Sequence, residues 1–436
     1  MRKPLLCRQI LCFALVLAVA NIARASVGPG DTVAAANVQT ADALLTPATR
    51  WMVNQGMTIK VAPTEKVDWP QAYKDATERY AGQVEIAPDG RAISNYVAGA
   101  PFPVIDPTDP LAPYKLMWNN KLPPHIIDNM GGYVTAHTID REGAVGETYE
   151  LRWRLLKWAG RLYTTPKPLI PNNPAVLMSL LSGPLTLPQR LKGAFCLKLY
   201  HLGANVADEH YVYDPYQRKV RRIGVADRGA DALGTDTDAD SFLGFSGKIA
   251  HWTFKILAER DILAVVHSGK YGDPSQWCAP RDGRHGVLAA LPCVTWEKRH
   301  VWVVEGTPTH YPGRYPYSKR ILYVDKQFFG IGLQELYDEK EALWKASLGC
   351  VWYTRKPHSL YPTNPLKGAR YNYTEEWPFL PSAVMVDLQQ KTATIAESPS
   401  SASPPGEWYY ETYFNEPVSD NTSETYTPNY LIRSAR

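Results

Sequence analysis

The chain lacks most of the short motifs that mark an enzyme. It has ten histidines but no His-Glu-x-x-His, no Cys-x-x-Cys pair, and no Walker or Gly-x-Gly-x-x-Gly loop. Each of these motifs carries a defined chemistry: zinc hydrolysis, a metal or redox site, or phosphate binding at a helix N-terminus. Gly244-Phe-Ser-Gly247 is too short for a nucleophile elbow, and no predicted strand leads into it. We expect a protein that is not an enzyme, with no cofactor and no bound metal.

Long apolar runs are also missing, with one short exception at the start. Basic residues among the first eight positions precede an apolar stretch from Ile10 to Ala20, and Ala23-Arg24-Ala25 has the small-x-small pattern of a cleavage site. This pattern predicts a signal peptide over 1–25, because the apolar stretch is too short to span a bilayer. Neither Cys7 nor Cys12 lies in a lipoprotein signal, so we expect a soluble exported protein without an acyl anchor.

The mature chain has no excess of charge. The full sequence has 47 basic and 43 acidic residues, and the predicted leader contains four basic residues and no acidic one. Its removal leaves 43 of each sign, so the apparent basicity belongs to the leader. A nucleic-acid-binding surface is therefore not supported.

Cysteine is scarce, and only four of the six lie beyond the predicted leader. In an oxidising compartment we expect Cys278 to pair with Cys293. That bridge closes a loop of about 15 residues, which stabilises by roughly 3 kcal/mol in the chain-entropy model. Cys196 and Cys350 either pair or remain buried thiols, and the sequence does not choose between them.

Apolar and polar residues alternate along many short segments. Tyr149, Leu151, Trp153 and Leu155 face one way, and the same period of two recurs at 195–199, 211–213, 218–223, 252–256 and 262–266. Residues 299–346 then read as an antiparallel meander of three or four strands. Short helices are expected from Thr46 and from Asp68 to Tyr80, and an extended Pro-rich strap over 97–113. The expected fold class is α+β and mainly β, with one large curved antiparallel sheet.

Three polar clusters are candidate sites. His201, Glu209 and His210 could converge on a metal, but surface histidines on strands are common. Asp236-Thr-Asp-Ala-Asp240 resembles the start of a calcium loop without its closing Glu, so a solvated acidic turn is favoured. The basic residues Arg218, Lys219, Arg221 and Arg222 form either the solvated face of an edge strand or a patch for a partner or anionic head groups.

Large apolar residues on the predicted strands are the strongest signal. Core packing explains them by default, but a curled sheet with a bulky concave face can also enclose a ligand. The candidates for the lining of such a cavity are Tyr149, Trp153, Leu155, Leu199, Trp252, Phe254, Trp302, Val304 and Tyr323.

Several phrases of the sequence are similar to one family. They include 75–84, 96–103, 115–119, Tyr213-Asp-Pro-Tyr-Gln-Arg-Lys-Val-Arg-Arg222, His300-Val-Trp-Val-Val-Glu305 and Lys319-Arg-Ile-Leu-Tyr-Val-Asp325. On these the chain resembles DUF1329, exported Gram-negative proteins related to the LolA/LolB-like superfamily of outer-membrane lipoprotein sorting. The resemblance implies a periplasmic location and a half-barrel with short helices as a lid over an apolar cavity. It supplies no catalytic residues.

Two functions follow as hypotheses. The first is a periplasmic carrier that shields a lipid, an acyl chain or a sterol-like molecule, in envelope lipid or lipoprotein trafficking. The second is an interaction module that docks a membrane transporter, an envelope sensor or an outer-membrane protein through the basic strand or the Pro-rich strap. The expected organisation is a signal peptide (1–25), a flexible lead-in (26–45), a single half-barrel domain (46–396) and an irregular C-terminal tail (397–436).

Overall fold

The computed structural model describes residues 27–173, 175–267, 294–353, 378–397, 409–410 and 422–434. The predicted signal peptide and the predicted Cys278–Cys293 bridge lie outside these residues, as does the side chain of Cys350. Cys196 is a free thiol. Among the described residues, no helix has both the length and the apolar character needed to cross a membrane.

Strands dominate the described residues. They are β1 Thr32–Val33, β2 Ile59–Val61, β3 Glu85–Ile86, β4 Ile93–Ser94, β5 Asn129–Ile139, β6 Val145–Lys157, β7 Val176–Leu187, β8 Phe195–His201, β9 Glu209–Asp214, β10 Lys219–Arg222, β11 Thr253–Ala264, β12 Thr295–Thr307, β13 Lys319–Asp325, β14 Ile331–Tyr337, β15 Leu343–Tyr353, β16 Pro378–Asp387, β17 Thr392–Glu397 and β18 Tyr409–Tyr410. The α-helices are α1 Pro47–Asn54, α2 Gln71–Tyr80, α3 Ala112–Lys121 and α4 Pro428–Ser434.

Sixteen strands form one sheet, and β3 and β4 form a separate hairpin. The order is β1-β2-β12-β13-β14-β15-β16-β17-β5-β6-β7-β8-β9-β10, with β11 also on β12 and β18 on β5. The sheet is mixed, because β2 and β12 pair in parallel while the other pairs are antiparallel. The sheet does not close, because the strand order of the described residues ends at β1 on one side and at β10 on the other. The predicted class, mainly β with one large sheet and short helices, is confirmed.

The predicted meander is confirmed in β12 to β15, which pair in succession with antiparallel register. The prediction of two separate strands at 252–256 and 262–266 is wrong, because one strand, β11, runs through both segments. A register shift between Ile256 and Ala258 leaves Leu257 45% exposed. The polar residues 257–261 are therefore not the predicted turn but part of the continuous strand, in which Arg260 donates to the carbonyls of Ala43 and Leu45.

The helices begin where local chemistry allows. Thr46 caps α1 as predicted, with its hydroxyl accepting from the Thr49 amide at 3.2 Å. Asp68 was predicted to cap α2, but the helix begins at Gln71 and Asp68 instead forms an ion pair with Lys74. The end of the predicted strap is also wrong, because Ala112 already belongs to α3.

Both faces of the sheet are covered. Residues 33–61, with α1, pack on the face that carries Val301, Val303 and Tyr323. The expected flexible lead-in is therefore partly core: Val33 and Ala41 are buried there because the sheet face needs an apolar cover. At the far end of the strand order, α4 packs Leu431 against β8 to β10, so part of the expected irregular tail is a helix.

Candidate functional site

The second face of the sheet carries the aromatic cluster. We call it the aromatic face: Trp302 and Val304 of β12, Leu322 and Val324 of β13, and Leu336 of β14. Trp302 lies opposite Val324 in the register, whereas Tyr323 lies opposite Val303. Successive residues of a strand point to opposite faces, so Tyr323 cannot share a cavity with Trp302.

The structure brings only some of the nine predicted lining residues together. One buried cluster contains Trp252, Phe254, Trp302 and Val304. An adjoining cluster contains Leu155 and Trp153, and the two clusters share two partly buried neighbours. Leu199 packs towards the C-terminal helix, Tyr149 belongs to a separate small cluster, and Tyr323 lies under α1. The set therefore does not line a single face.

The aromatic face is covered by helices and by an irregular segment. We call residues 225–252, α2 and α3 together the cover. Phe245 and Trp252 meet edge to face at 5.2 Å, and Tyr114 of α3 meets Phe254 at 5.7 Å. The Asn120 side chain donates to the Phe329 carbonyl at 2.8 Å. In the described residues no strand of the cover pairs with the sheet, and side-chain contacts hold the cover in place together with a backbone hydrogen bond from the His310 amide to the His251 carbonyl at 3.0 Å.

A buried ion pair joins the cover to the sheet. Arg320 of β13 is 0% exposed, and its Nη2 donates to Asp238 of the cover at 3.1 Å. Its Nη1 donates to Ser241 at 2.7 Å and to Gln334 at 2.9 Å. Asp238 also accepts from the Tyr317 hydroxyl at 3.1 Å. Several hydrogen bonds are needed to offset the desolvation of such a pair.

A second pair lies within the cover itself. Arg228 Nε donates to Asp240 at 2.6 Å, and the hydroxyls of Tyr311 and Tyr315 donate to the same carboxylate at 3.1 Å. Burial raises the pKa of Asp240, but the guanidinium groups of Arg228 and Arg320 outweigh it, so the net pKa lies below the usual range. The acidic segment 236–240 was expected to be a solvated turn. That prediction is wrong for Asp238 and Asp240, which are buried because distant arginines neutralise them.

Two lysines extend this polar interior. Lys248 Nζ donates to the carbonyls of His201, Gly203 and Val206 at 2.6–2.9 Å. Lys121, at the end of α3, donates to the Ser246 carbonyl at 3.2 Å, and burial lowers its pKa to about 8. The region under the cover thus combines an apolar cluster with a buried network of charged and polar side chains that includes Arg320 and Gln334 of the sheet.

The suspected metal ligands do not converge. His201 Nε2 lies 3.3 Å from Glu209, whereas His210 Nε2 contacts Cys196 Sγ at 2.9 Å. Glu209 and His210 are neighbours on β9, so they point to opposite faces. In the described ranges no group of three His, Cys, Asp or Glu side chains could hold a metal ion. Ser246 of the glycine-flanked motif is buried and donates to the Ala239 carbonyl at 2.7 Å.

The basic run begins in the turn before β10 and continues along β10, at the end of the strand order. Arg218, Lys219, Arg221 and Arg222 are all exposed. Arg222 lies 3.9 Å from Glu209, and Arg221 donates to Gln217, so these contacts leave most of the positive surface open to solvent. Tyr216, in the turn before the strand, is 76% exposed.

Comparison with known proteins gives a family and a set of weak structural likenesses. The model of the family described as "Protein of unknown function (DUF1329)" matches residues 32–431. No curated protein matches the chain significantly.

Three solved structures are similar over 70% of this chain. One is a proposed outer membrane lipoprotein-sorting protein domain from Vibrio parahaemolyticus, with 15% identity, 92% of that chain covered and a TM-score of 0.42. Another is a DUF1329 family protein from Desulfovibrio piger, with 13% identity, 92% coverage and a TM-score of 0.40. The third is a LolA superfamily protein from Nitrosomonas europaea, with 12% identity, 91% coverage and a TM-score of 0.35.

Proposed function

We propose that this chain, which belongs to the DUF1329 family, is a periplasmic, non-enzymatic carrier of a hydrophobic ligand. The ligand is a lipid, an acyl chain or a sterol-like molecule. The observation that supports the proposal is the buried aromatic face, whose cover is held mainly by side-chain contacts and pairs no strand with the sheet in the described residues. A signal peptide ending at Ala25 would deliver the protein to the periplasm.

Ligand entry in this proposal separates α3 from the aromatic face. An acyl chain would take the place of Leu116 and Met117 of α3, which lie in the same buried cluster as Leu322 and Val324; all four are fully buried. Each buried methylene contributes about 0.8 kcal/mol, so a long chain can offset the loss of helix packing. The polar groups within the cover would remain bonded to one another during this movement.

We predict that Leu322→Asn will weaken uptake of a fluorescent fatty acid about tenfold. The new amide would lie beside the bound chain without a hydrogen-bond partner, at a cost of about 1–3 kcal/mol. Leu348→Asn is the matched control, since Leu348 is equally buried but packs on the opposite face. The measurement is fluorescence titration, with circular dichroism to confirm that both variants are folded.

Equal loss of binding in the two variants would contradict a ligand on the aromatic face. Should either variant fail to fold, the wild-type protein provides the decisive measurement: native mass spectrometry after purification from the periplasm, followed by lipid extraction. Wild-type protein that carries no lipid and takes up no probe refutes the carrier.

The second candidate is the interaction module, favoured by the exposed basic strand β10. Its positive side chains fit an acidic surface of an envelope membrane protein. We predict that Arg218→Glu, Arg221→Glu and Arg222→Glu together will abolish crosslinking from a photoreactive residue at Tyr216, without changing lipid content. The adducts are read by mass spectrometry of cells expressing the protein.

The matched control makes the same change of charge elsewhere on the surface. Arg79→Glu, Arg141→Glu and Lys192→Glu also reverse three exposed positive charges. If this control loses the adduct as well, the effect is one of net charge and not of β10. An adduct that survives the β10 reversal rules the strand out as the docking site.

A further inference from the structure

A pocket lined by several charged side chains and by Trp344 opens beside the start of β15, at the border of the buried cluster that contains the aromatic face. Its volume is about 480 Å³, within the range of small-molecule sites. The lining residues are Ala226, Asp227, Ala230, Arg314, Pro316, Asp338, Glu339, Lys340 and Trp344. We propose that this pocket binds a saccharide ring, with Trp344 as the stacking surface. The proposal does not depend on the carrier function.

A bulge in the sheet aims Trp344 into the pocket. Leu336 pairs with Lys345 and Tyr337 pairs with Leu343, so Trp344 has no partner in the register. One extra residue shifts the alternation, so that Trp344 and Lys345 follow each other on the same face. Such bulges redirect side chains and are common beside binding sites.

The indole is held rigidly in that position. Its Nε1 donates to the buried carboxylate of Asp387 at 2.8 Å, and its ring packs against Tyr317 at 5.4 Å. Trp344 is nevertheless only half-buried, and the pocket takes up its open side. An aromatic ring fixed in advance loses little entropy when a ligand stacks on it.

Two turns in the walls of the pocket are held by hydrogen bonds. Tyr311 donates to the Val225 carbonyl at 2.7 Å, which fixes the turn that carries Asp227. Asp338 accepts from the amides of Lys340 and Ala342 at 2.9 Å, which closes the β14–β15 turn. Arg314 donates to Glu339 at 2.8 Å across the opening. The turn that carries Asp227 and the β14–β15 turn are thus held in place before any ligand arrives, whereas Arg314 and Glu339 are largely exposed.

The chemistry of the lining favours a neutral polyhydroxy ring. The π face of Trp344 is electron-rich and attracts the polarised C–H groups on one side of a sugar ring. Carboxylates accept from hydroxyl groups, and Arg314 and Lys340 donate to them. A cationic ligand is less suited, because the Lys345 ammonium already lies 5.1 Å from the Trp344 ring centroid. Because the pocket carries charges of both signs, it does not select a strongly charged ligand.

The test uses a glycan array with terminal glucose, mannose, galactose and N-acetylhexosamine, followed by isothermal titration with the disaccharide of the best class. We expect binding by the full mature protein and a loss of about tenfold or more in Trp344→Ala. Asp227→Asn and Lys340→Gln change exposed positions and should leave the fold intact. Each should weaken binding several-fold, so these two variants still test the site if Trp344→Ala fails to fold. Trp51→Ala, at a half-buried tryptophan on α1, is the matched control and should bind normally.

Three outcomes would overturn the proposal. The first is the absence of any glycan signal above that of Trp344→Ala. The second is sugar binding that is unchanged in Asp227→Asn and Lys340→Gln. The third concerns choline chloride, titrated in parallel. If choline binds more tightly than the disaccharide and its binding is lost in Trp344→Ala, the pocket is a cation site.

Discussion

Replacing Arg320 with Met is expected to lower the free energy of unfolding by about 3–5 kcal/mol, the cost of leaving a buried charge without its partner. Arg320 and Asp238 are both fully buried, with a 3.1 Å hydrogen bond between them. Without the guanidinium, Asp238 keeps only neutral donors, Ser241 and Tyr317. The measurement is chemical denaturation followed by tryptophan fluorescence.

The double variant Arg320→Met with Asp238→Asn isolates the charge. It removes both members of the pair, and we expect it to recover most of the lost stability. Arg314→Met is the matched control, because its ion pair with Glu339 is 82% and 58% exposed at the two side chains and contributes about 1 kcal/mol or less. A double variant no more stable than Arg320→Met would show that the arginine acts through packing rather than through its charge.

The sheet was largely predictable because its strands bury one or both faces. Alternation located the meander, since a strand with a covered face must place apolar residues at every second position. The pattern could not reveal β5 and β7 as clearly. In β7 the run from Val176 to Leu181 is buried almost throughout, so the period of two disappears.

The buried ion pair could have been found from the same alternation. Arg320, Leu322 and Val324 occupy every second position of β13 and point to the aromatic face. An arginine in an apolar row calls for a buried acidic partner, and 236–240 supplies two. What the sequence could not give is the pairing, because Asp238 and Arg320 are joined only by the tertiary fold.

The predicted lining residues were separated for a related reason. The alternation within each strand is predictable, but which face of the sheet the apolar residues of a given strand occupy depends on bulges and on the register with its neighbours. Tyr323 and Trp302 both look like inward residues of their own strands, yet the pairing of Val303 with Tyr323 places them on opposite faces. Trp344 was not singled out as a site, because its direction depends on a bulge that no local pattern marks.

Acid is expected to destabilise the protein through a buried histidine. Between pH 6.5 and 4, His125 is expected to cost the folded protein about 3 kcal/mol of stability. Burial and, secondarily, the charge of Lys157 lower the pKa of His125 to about 4 from the 6.5 of an exposed imidazole. The unfolded chain therefore binds a proton throughout this interval while the folded chain does not, so stability falls as the pH falls through it.

His125→Phe should remove this loss. The ring of His125 packs edge-on against Phe328 at 6.0 Å, and its Nδ1 has no hydrogen-bond partner among the described residues, so a phenyl ring fits without breaking a bond. Denaturation curves at pH 6.5 and 4 should show a drop about 3 kcal/mol smaller in the variant than in the wild type. Carboxylates that titrate in this range affect both proteins alike and cancel in the comparison.

His300→Gln, at a side chain that is 52% exposed, serves as the control and should retain the wild-type drop. An equal drop in His125→Phe and wild type would mean that the buried ring takes up its proton as readily when folded as when unfolded.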